Sequence, residues 1–361
     1  MVHNPGAGHS NFLMNQVTYS KKKQYILPIL GFMVVLITIF LSGAEYICRK
    51  MGIHPWEIKR NNITVTPGGN FFTTHATLGY THIPGQFKVS LADGYSFIVT
   101  HRDNTLRITH NLETYSMQPV KPAIWIFGCS FTHGWSLNDQ ETYPWVLQES
   151  LPYYEIVNFG ASGYGTIHAL IQFQEALVKG PPPKIAIIAY ASFHDIRNTF
   201  LRNRSKASAT RNFIGPLLHP YARLYDTKLQ IAVGGKYCPF PLMQYSAFSH
   251  FLEQQYNRIE DRLFHSHDVT KAIIAEFAKL AKECGVQLIV AGITSDVATN
   301  DTIEYAKTLN LITGDISVDL GVKENRNLPH DGHPSAQANK QYAGKLFDLL
   351  KSNRLSYLDG G

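Results

Sequence analysis

Two short stretches, far apart in the chain, carry side chains that could do chemistry together. In the first, the apolar run AIWIF (Ala123–Phe127) stops at Gly128-Cys129-Ser130, and Phe131-Thr132-His133-Gly134 follows. A serine held at a tight strand-to-helix turn presents its hydroxyl as a nucleophile, whereas the same serine can simply cap the next helix. In the second, Asp331-Gly332-His333-Pro334-Ser335 stands close to the C-terminus. An imidazole titrates near neutrality and can take a hydroxyl proton. A carboxylate on its other ring nitrogen fixes the tautomer and stabilises the imidazolium. Read alone, His333 also suits a surface histidine, Asp331 a turn residue beside Gly332, and Pro334-Ser335 a helix start. Acting together, the three would perform nucleophilic attack.

Two further strand ends carry small or polar residues. One reads Asn158-Phe159-Gly160-Ala161-Ser162-Gly163-Tyr164-Gly165, the other Tyr190-Ala191-Ser192-Phe193-His194-Asp195. The glycine run has neither the Gly-Lys-Ser/Thr ending of a phosphate loop nor dinucleotide spacing. Asn158 is expected to make local backbone hydrogen bonds, and Asp195, Arg197 and Asn198 to form a polar network. His133 is expected to be a polar residue of a first helical turn, with a pocket-lining role the alternative. The sixteen histidines are scattered and include no His-Glu-x-x-His pattern, so no metal site is expected.

The elements that must position these residues alternate. Strand-like runs fall at Ala123–Phe127, Tyr154–Phe159, Lys184–Ala191, Val286–Ile293 and Leu309–Ile316, and helical stretches at Thr142–Ser150, Thr166–Lys179, Val269–Cys284 and Ser335–Lys351. Continuous apolar strands alternating with helices predict a parallel sheet covered on both faces, with a ligand site beyond the carboxyl ends of the strands. Residues 197–267, rich in aromatics and proline, interrupt the pattern as an insertion. Residues 51–120 hold short alternating runs broken by Gly and Pro, which predicts a small β-rich segment.

Ahead of that segment, Tyr25–Gly43 is free of charge and as long as a hydrocarbon core requires. It predicts a single transmembrane anchor at 25–47 after an unstructured tail, 1–24, with a signal segment cleaved near Ser42-Gly43-Ala44 the alternative. Lys21–Lys23 precede the span and Arg49, Lys50, Lys59 and Arg60 follow it, so basic flanks do not orient it. The short N-terminus and large C-terminal part favour export of the bulk. The 361 residues carry 33 basic and 27 acidic side chains, a net +6 with no basic strip, so no nucleic-acid partner is expected. Cys48, Cys129, Cys238 and Cys284 show no metal or redox spacing and read as free thiols, with a Cys238–Cys284 disulfide the alternative.

The four blocks, in this order over about residues 121–351, resemble the SGNH (GDSL-type) hydrolase superfamily. The resemblance implies a three-layer α/β/α domain at 121–355 with a five-stranded, mostly parallel, flavodoxin-like sheet. It implies Ser130 as nucleophile, His333 as general base, Asp331 as its orienting acid, and the backbone N–H groups of Ser130 and Gly163 as oxyanion donors. Two positions depart from the usual pattern. The acid stands two places before the histidine, where most members have three; that third position is His330, a reserve partner. His194 stands where an oxyanion Asn is usual, and an imidazole N–H could serve there; a purely structural His194 and a turn-forming Gly163 are the alternatives. The implied activity is a membrane-bound serine esterase without cofactor, acting on a small acyl ester or an O-acylated glycan. O-acyl transfer by the same residues and a non-catalytic glycan-binding or assembly protein are the other readings.

Overall fold

The computed structural model describes residues 10–58, 63–111, 121–209, 218–235, 237–353 and 355. Parts of the expected tail, β-rich segment and insertion (1–9, 59–62, 112–120, 210–217, 236) lie outside them. The chain forms two compact units: Met1–Ile58 with Pro239–Tyr256, and Lys59–Cys238 with Asn257–Gly361.

In the first unit a helix, α1, runs Ser10–Lys50, so the described part of the expected tail forms its first turns. Its segment Ile26–Lys50 has a mean hydropathy of 2.5 and holds an 18-residue stretch with no buried residue, which gives it the length and composition to cross a membrane. At the end of α1, Glu45 accepts hydrogen bonds from the Ser246 hydroxyl (2.8 Å) and from the backbone N–H groups of Ala247 (3.0 Å) and Phe248 (2.9 Å). Those amides open a helix, Ala247–Phe264, and its orphan N–H groups take the carboxylate as their acceptor.

The second unit holds a five-stranded sheet of β6 (Ala123–Phe127), β7 (Glu155–Asn158), β8 (Ile185–Tyr190), β11 (Gln287–Gly292) and β12 (Ile312–Asp315). All neighbours are parallel, in the order β12-β11-β8-β6-β7. Numbered along the chain this is 2-1-3-4-5, the flavodoxin-like order, whose direction switches at β6 and β8. Strand β6 shows why such strands are apolar throughout. Ile124 and Ile126 join a core with Tyr143, Leu147, Tyr342 and Leu346, from helices α3 (Tyr143–Ser150) and α10 (Ala336–Ser352). Trp125 and Phe127 join the opposite core with Phe173 and Phe277, from α4 (Thr166–Lys179) and α8 (Ser266–Glu283). Successive side chains point to opposite faces, and both faces are covered.

Helix α9 (Val297–Thr308) between β11 and β12, capped by Asp296 through the Thr299 amide, was not expected from the sequence. Its apolar periodicity is weak because only Thr299, Thr302, Ile303 and Ala306 are buried. The β-rich segment forms a three-stranded antiparallel sheet of β1 (Thr64–Thr66), β4 (Gly85–Ser90) and β5 (Ser96–His101), and a hairpin of β2 (Phe72–His75) with β3 (Gly79–His82). These strands belong to the same compact unit as the main sheet. Antiparallel bridges from His101 to Arg107 and from Arg107 to Asn158 stitch β5 to the end of β7. In the expected insertion, β9 (His219–Tyr225) and β10 (Lys228–Gly234) form a second hairpin. All four cysteines are free thiols, and Cys238 is exposed.

Candidate active site

Ser130 opens a single helical turn, α2 (Ser130–His133), directly after β6, and is 6% exposed. The turn is packed too tightly for side chains on its neighbours. A Cβ on Gly160, in the loop after β7, would lie 2.4 Å from the His133 amide nitrogen. Asn158 locks the two segments together: its amide donates to the Thr132 carbonyl (3.0 Å) and its oxygen accepts from the Gly160 N–H (2.9 Å). Arg107 holds the far end of the turn. Its buried guanidinium donates to the carbonyls of His133 (2.8 Å), Gly134 (2.6 Å) and Leu137 (2.7 Å) and pairs with Asp139 at 2.9 Å. Nothing in the sequence singled Arg107 out.

The loop before α10 brings the second stretch to the same place. Asn327 donates its backbone N–H to the His333 carbonyl and accepts the Asp331 N–H on its own carbonyl, both at 2.9 Å, while its side chain donates to the Ser136 carbonyl at 3.0 Å. His333 Nε2 thereby lies 3.0 Å from Ser130 Oγ, and His333 Nδ1 hydrogen-bonds Asp331 Oδ1. The same carboxylate oxygen accepts the His333 backbone N–H at 2.7 Å, and Oδ2 accepts the Trp135 indole N–H at 3.1 Å. Burial raises the Asp331 carboxyl, but the bonds from His333 and Trp135 outweigh it and hold the group below the usual carboxylate range. An ionised Asp331 only accepts, so Nδ1 carries the proton and Nε2 offers its lone pair to the serine. Phe131 and Trp135 flank the imidazole, with ring centroids 5.8 and 6.4 Å away. Trp135 is a site residue that sequence reasoning missed, because its partner lies 196 positions away.

Gly163 adopts φ +90°, where a Cβ would also meet the Tyr80 hydroxyl at 2.5 Å, so only glycine fits. Its carbonyl accepts from Arg204 at 2.7 Å, and Arg197 holds the next carbonyl, that of Tyr164, at 2.8 Å. Neither the Ser130 nor the Gly163 backbone N–H donates to another group among the described residues. His194, at the start of helix α5 (His194–Asn198), is sealed between Tyr190 and Phe193; neither ring nitrogen has a partner and burial holds it neutral. No hydrogen bond or ring contact joins it to Ser130 or His333. His330 is committed elsewhere, bonded to Asp93 at 2.6 Å and stacked on Tyr95.

Asp195 and Asn198 share a network through Thr270 that leaves out Arg197, which bonds the Tyr164 carbonyl instead, and draws in a histidine the sequence did not mark. Asp195 accepts from Tyr190 (2.7 Å) and Thr270 (2.7 Å), and His267 bridges it (2.8 Å) to Asp301 (2.7 Å). Asn198 accepts the Ile167 N–H at 2.9 Å and donates to Thr270 at 2.7 Å, fixing the start of α4.

No family model and no curated protein matches the chain. Solved structures similar to it include the psychrotrophic esterase EstA from Pseudoalteromonas sp., inhibited by monoethylphosphonate (11% identity, 64% of this chain and 98% of that one, TM-score 0.39). Another is a mutant of Axe2, an acetyl-xylooligosaccharide esterase from Geobacillus (12%, 63% and 94%, 0.38), and a third is a GDSL-like lipase from Bacteroides thetaiotaomicron (13%, 66% and 94%, 0.36).

Proposed function

We propose that this protein is a serine esterase of SGNH type, tethered to a membrane by α1. The observation that carries the reading is the relay from Ser130 Oγ through the His333 imidazole to Asp331, with Nε2 and Oγ 3.0 Å apart. Ser130 Oγ would attack the ester carbonyl carbon as its proton passes to Nε2. The imidazolium so formed is stabilised by the Asp331 carboxylate, which stays ionised. Charge developing on the carbonyl oxygen would fall to the uncommitted N–H groups of Ser130 and Gly163, each such donor contributing roughly 3–4 kcal/mol in the transition state. Collapse breaks the ester C–O bond, and the Nε2 proton leaves with the alcohol. Water then attacks the acyl-enzyme with His333 as base, releasing the acid and restoring the serine. His194, sealed by Tyr190 and Phe193 and without a bond or ring contact to Ser130 or His333, is assigned a structural role instead. The substrate is a small acyl ester or an O-acetylated glycan, and the catalytic unit lies on the exported side.

A fluorophosphonate probe applied to the full chain tests the reading. Labelling of the folded protein, abolished in Ser130→Ala together with hydrolysis of p-nitrophenyl esters, is expected. A folded wild-type chain that neither labels nor hydrolyses any ester from acetate to octanoate overturns it.

A further inference from the structure

Three histidines that the catalytic reading leaves unused meet beside the nucleophile turn. His82 ends β3, His101 ends β5 and His133 ends α2; their exposures are 3%, 2% and 0%. Each offers a ring nitrogen to a set whose members lie within 4.8 Å of one another. His101 Nε2 and His133 Nε2 are 3.1 Å apart, one donating its N–H to the other, a bond that an ion between them would replace. His82 directs Nδ1 at the Thr105 carbonyl, 3.3 Å away, and its Nε2 has no partner. One nitrogen of each of the other two rings, Nδ1 of His101 and of His133, is also buried without a partner. Of the three, His82 has one ring nitrogen on a backbone carbonyl and the other free, the pairing usual in a histidine ligand.

The chemistry of the donor set is consistent with this. Burial holds all three rings neutral, His82 at about 3, and the neutral imidazole is the form that ligates. With metal–nitrogen bonds of about 2.05 Å, a 3.1 Å separation corresponds to a nitrogen–metal–nitrogen angle of about 98°, within reach of tetrahedral or octahedral geometry. His82 stacks on His101 and His133 with the planes 8° and 28° apart. Binding therefore turns the His82 ring out of the stack to aim Nε2 at the shared point, at the expense of its 3.3 Å bond to the Thr105 carbonyl. Arg107, a buried cation whose charge acts on all three rings, is already paired with Asp139 and bonded to backbone carbonyls.

We propose that His82, His101 and His133 form a site for an imidazole-preferring first-row cation such as Zn2+. Bound there, the ion ties β3 and β5 to the helical turn that carries Ser130 three residues before His133. Its role is to position that turn, and its detection does not depend on esterase activity.

Because the cluster is sealed, the ion enters as the chain folds, so the test uses full-length protein expressed in medium supplemented with Co2+ or Zn2+. About one metal equivalent per chain is expected, with the visible d–d bands of N-ligated Co2+. The melting temperature is expected to exceed that of protein expressed with chelator by roughly 5 °C. His82→Phe and His101→Phe keep an aromatic ring in the stack and should each lose the band while remaining folded by circular dichroism. Less than a tenth of an equivalent in folded wild type, or an unchanged band in His101→Phe, overturns the proposal.

Discussion

Asp331 offers a test in which one added substitution should reverse sign. Asp331 Oδ1 takes two donors, the His333 backbone N–H and Nδ1–H, and Oδ2 takes the Trp135 indole N–H. In Asp331→Asn one of these oxygens becomes an NH2. With the amide oxygen towards His333, the active tautomer persists, but the new NH2 faces the Trp135 N–H at 3.1 Å, donor against donor. With the amide reversed, the NH2 meets the His333 backbone N–H at 2.7 Å and draws Nδ1 into accepting, which turns a protonated Nε2 towards Ser130. Each arrangement leaves one clash, so the population divides between a working and a dead tautomer, and the lost carboxylate no longer stabilises the imidazolium. Turnover should fall by about 10^3 to 10^4.

Trp135→Phe removes the donor that opposes the working arrangement. A neutral hydrogen bond is worth about 1 kcal/mol, and an unmade buried one costs somewhat more, so the balance should move by about 1.4 kcal/mol, or tenfold. In the parent background the same change deletes a bond to a charged carboxylate and should lower kcat/KM by about tenfold. Trp135→Phe is therefore harmful alone and beneficial in Asp331→Asn. The assay is kcat/KM for p-nitrophenyl acetate in all four members of the cycle, with melting temperatures to confirm folding. A double variant no more active than Asp331→Asn would refute this account of how the carboxylate is held.

Other outcomes follow from single residues. Gly163→Ala forces a Cβ onto a φ of +90° and to within 2.5 Å of the Tyr80 hydroxyl; ester turnover should drop by about 10^2 or more, and parental turnover would remove Gly163 from the site. Arg107→Met leaves Asp139 buried without its partner, which should cost about 3–5 kcal/mol in chemical denaturation; a change under about 1 kcal/mol would show that the carbonyls around α2 need no clamp. His267 is pulled down by burial, but Asp195 and Asp301 outweigh this and hold it above the usual imidazole range. Its contribution to stability is therefore complete below about pH 6.5, the unfolded value, and lost as pH rises through the folded one. Melting temperature should fall across that window in the parent and stay flatter in His267→Gln; identical slopes would contradict the bridge.

The sequence by itself determined what short-range physics writes locally. Apolar runs ending in turn residues located all five strands of the main sheet, and helical periodicity located α3, α4, α8 and α10. A charge-free stretch of bilayer length marked α1, and Ser130, Asp331 and His333 stood out because each sits at a turn between elements. Where the periodicity was weak, as in α9, the helix went unseen. Only the tertiary structure decided the strand order, and with it the meeting of Ser130 with a histidine 203 positions later. It also decided the indole on Asp331, the guanidinium behind α2, the sealed ring of His194 and the three buried histidines. None of these has a local pattern, since a buried polar group is placed by partners that packing brings in from elsewhere in the chain. Turn chemistry depends on neighbours in sequence, whereas hydrogen bonds and ligand sets depend on neighbours in space.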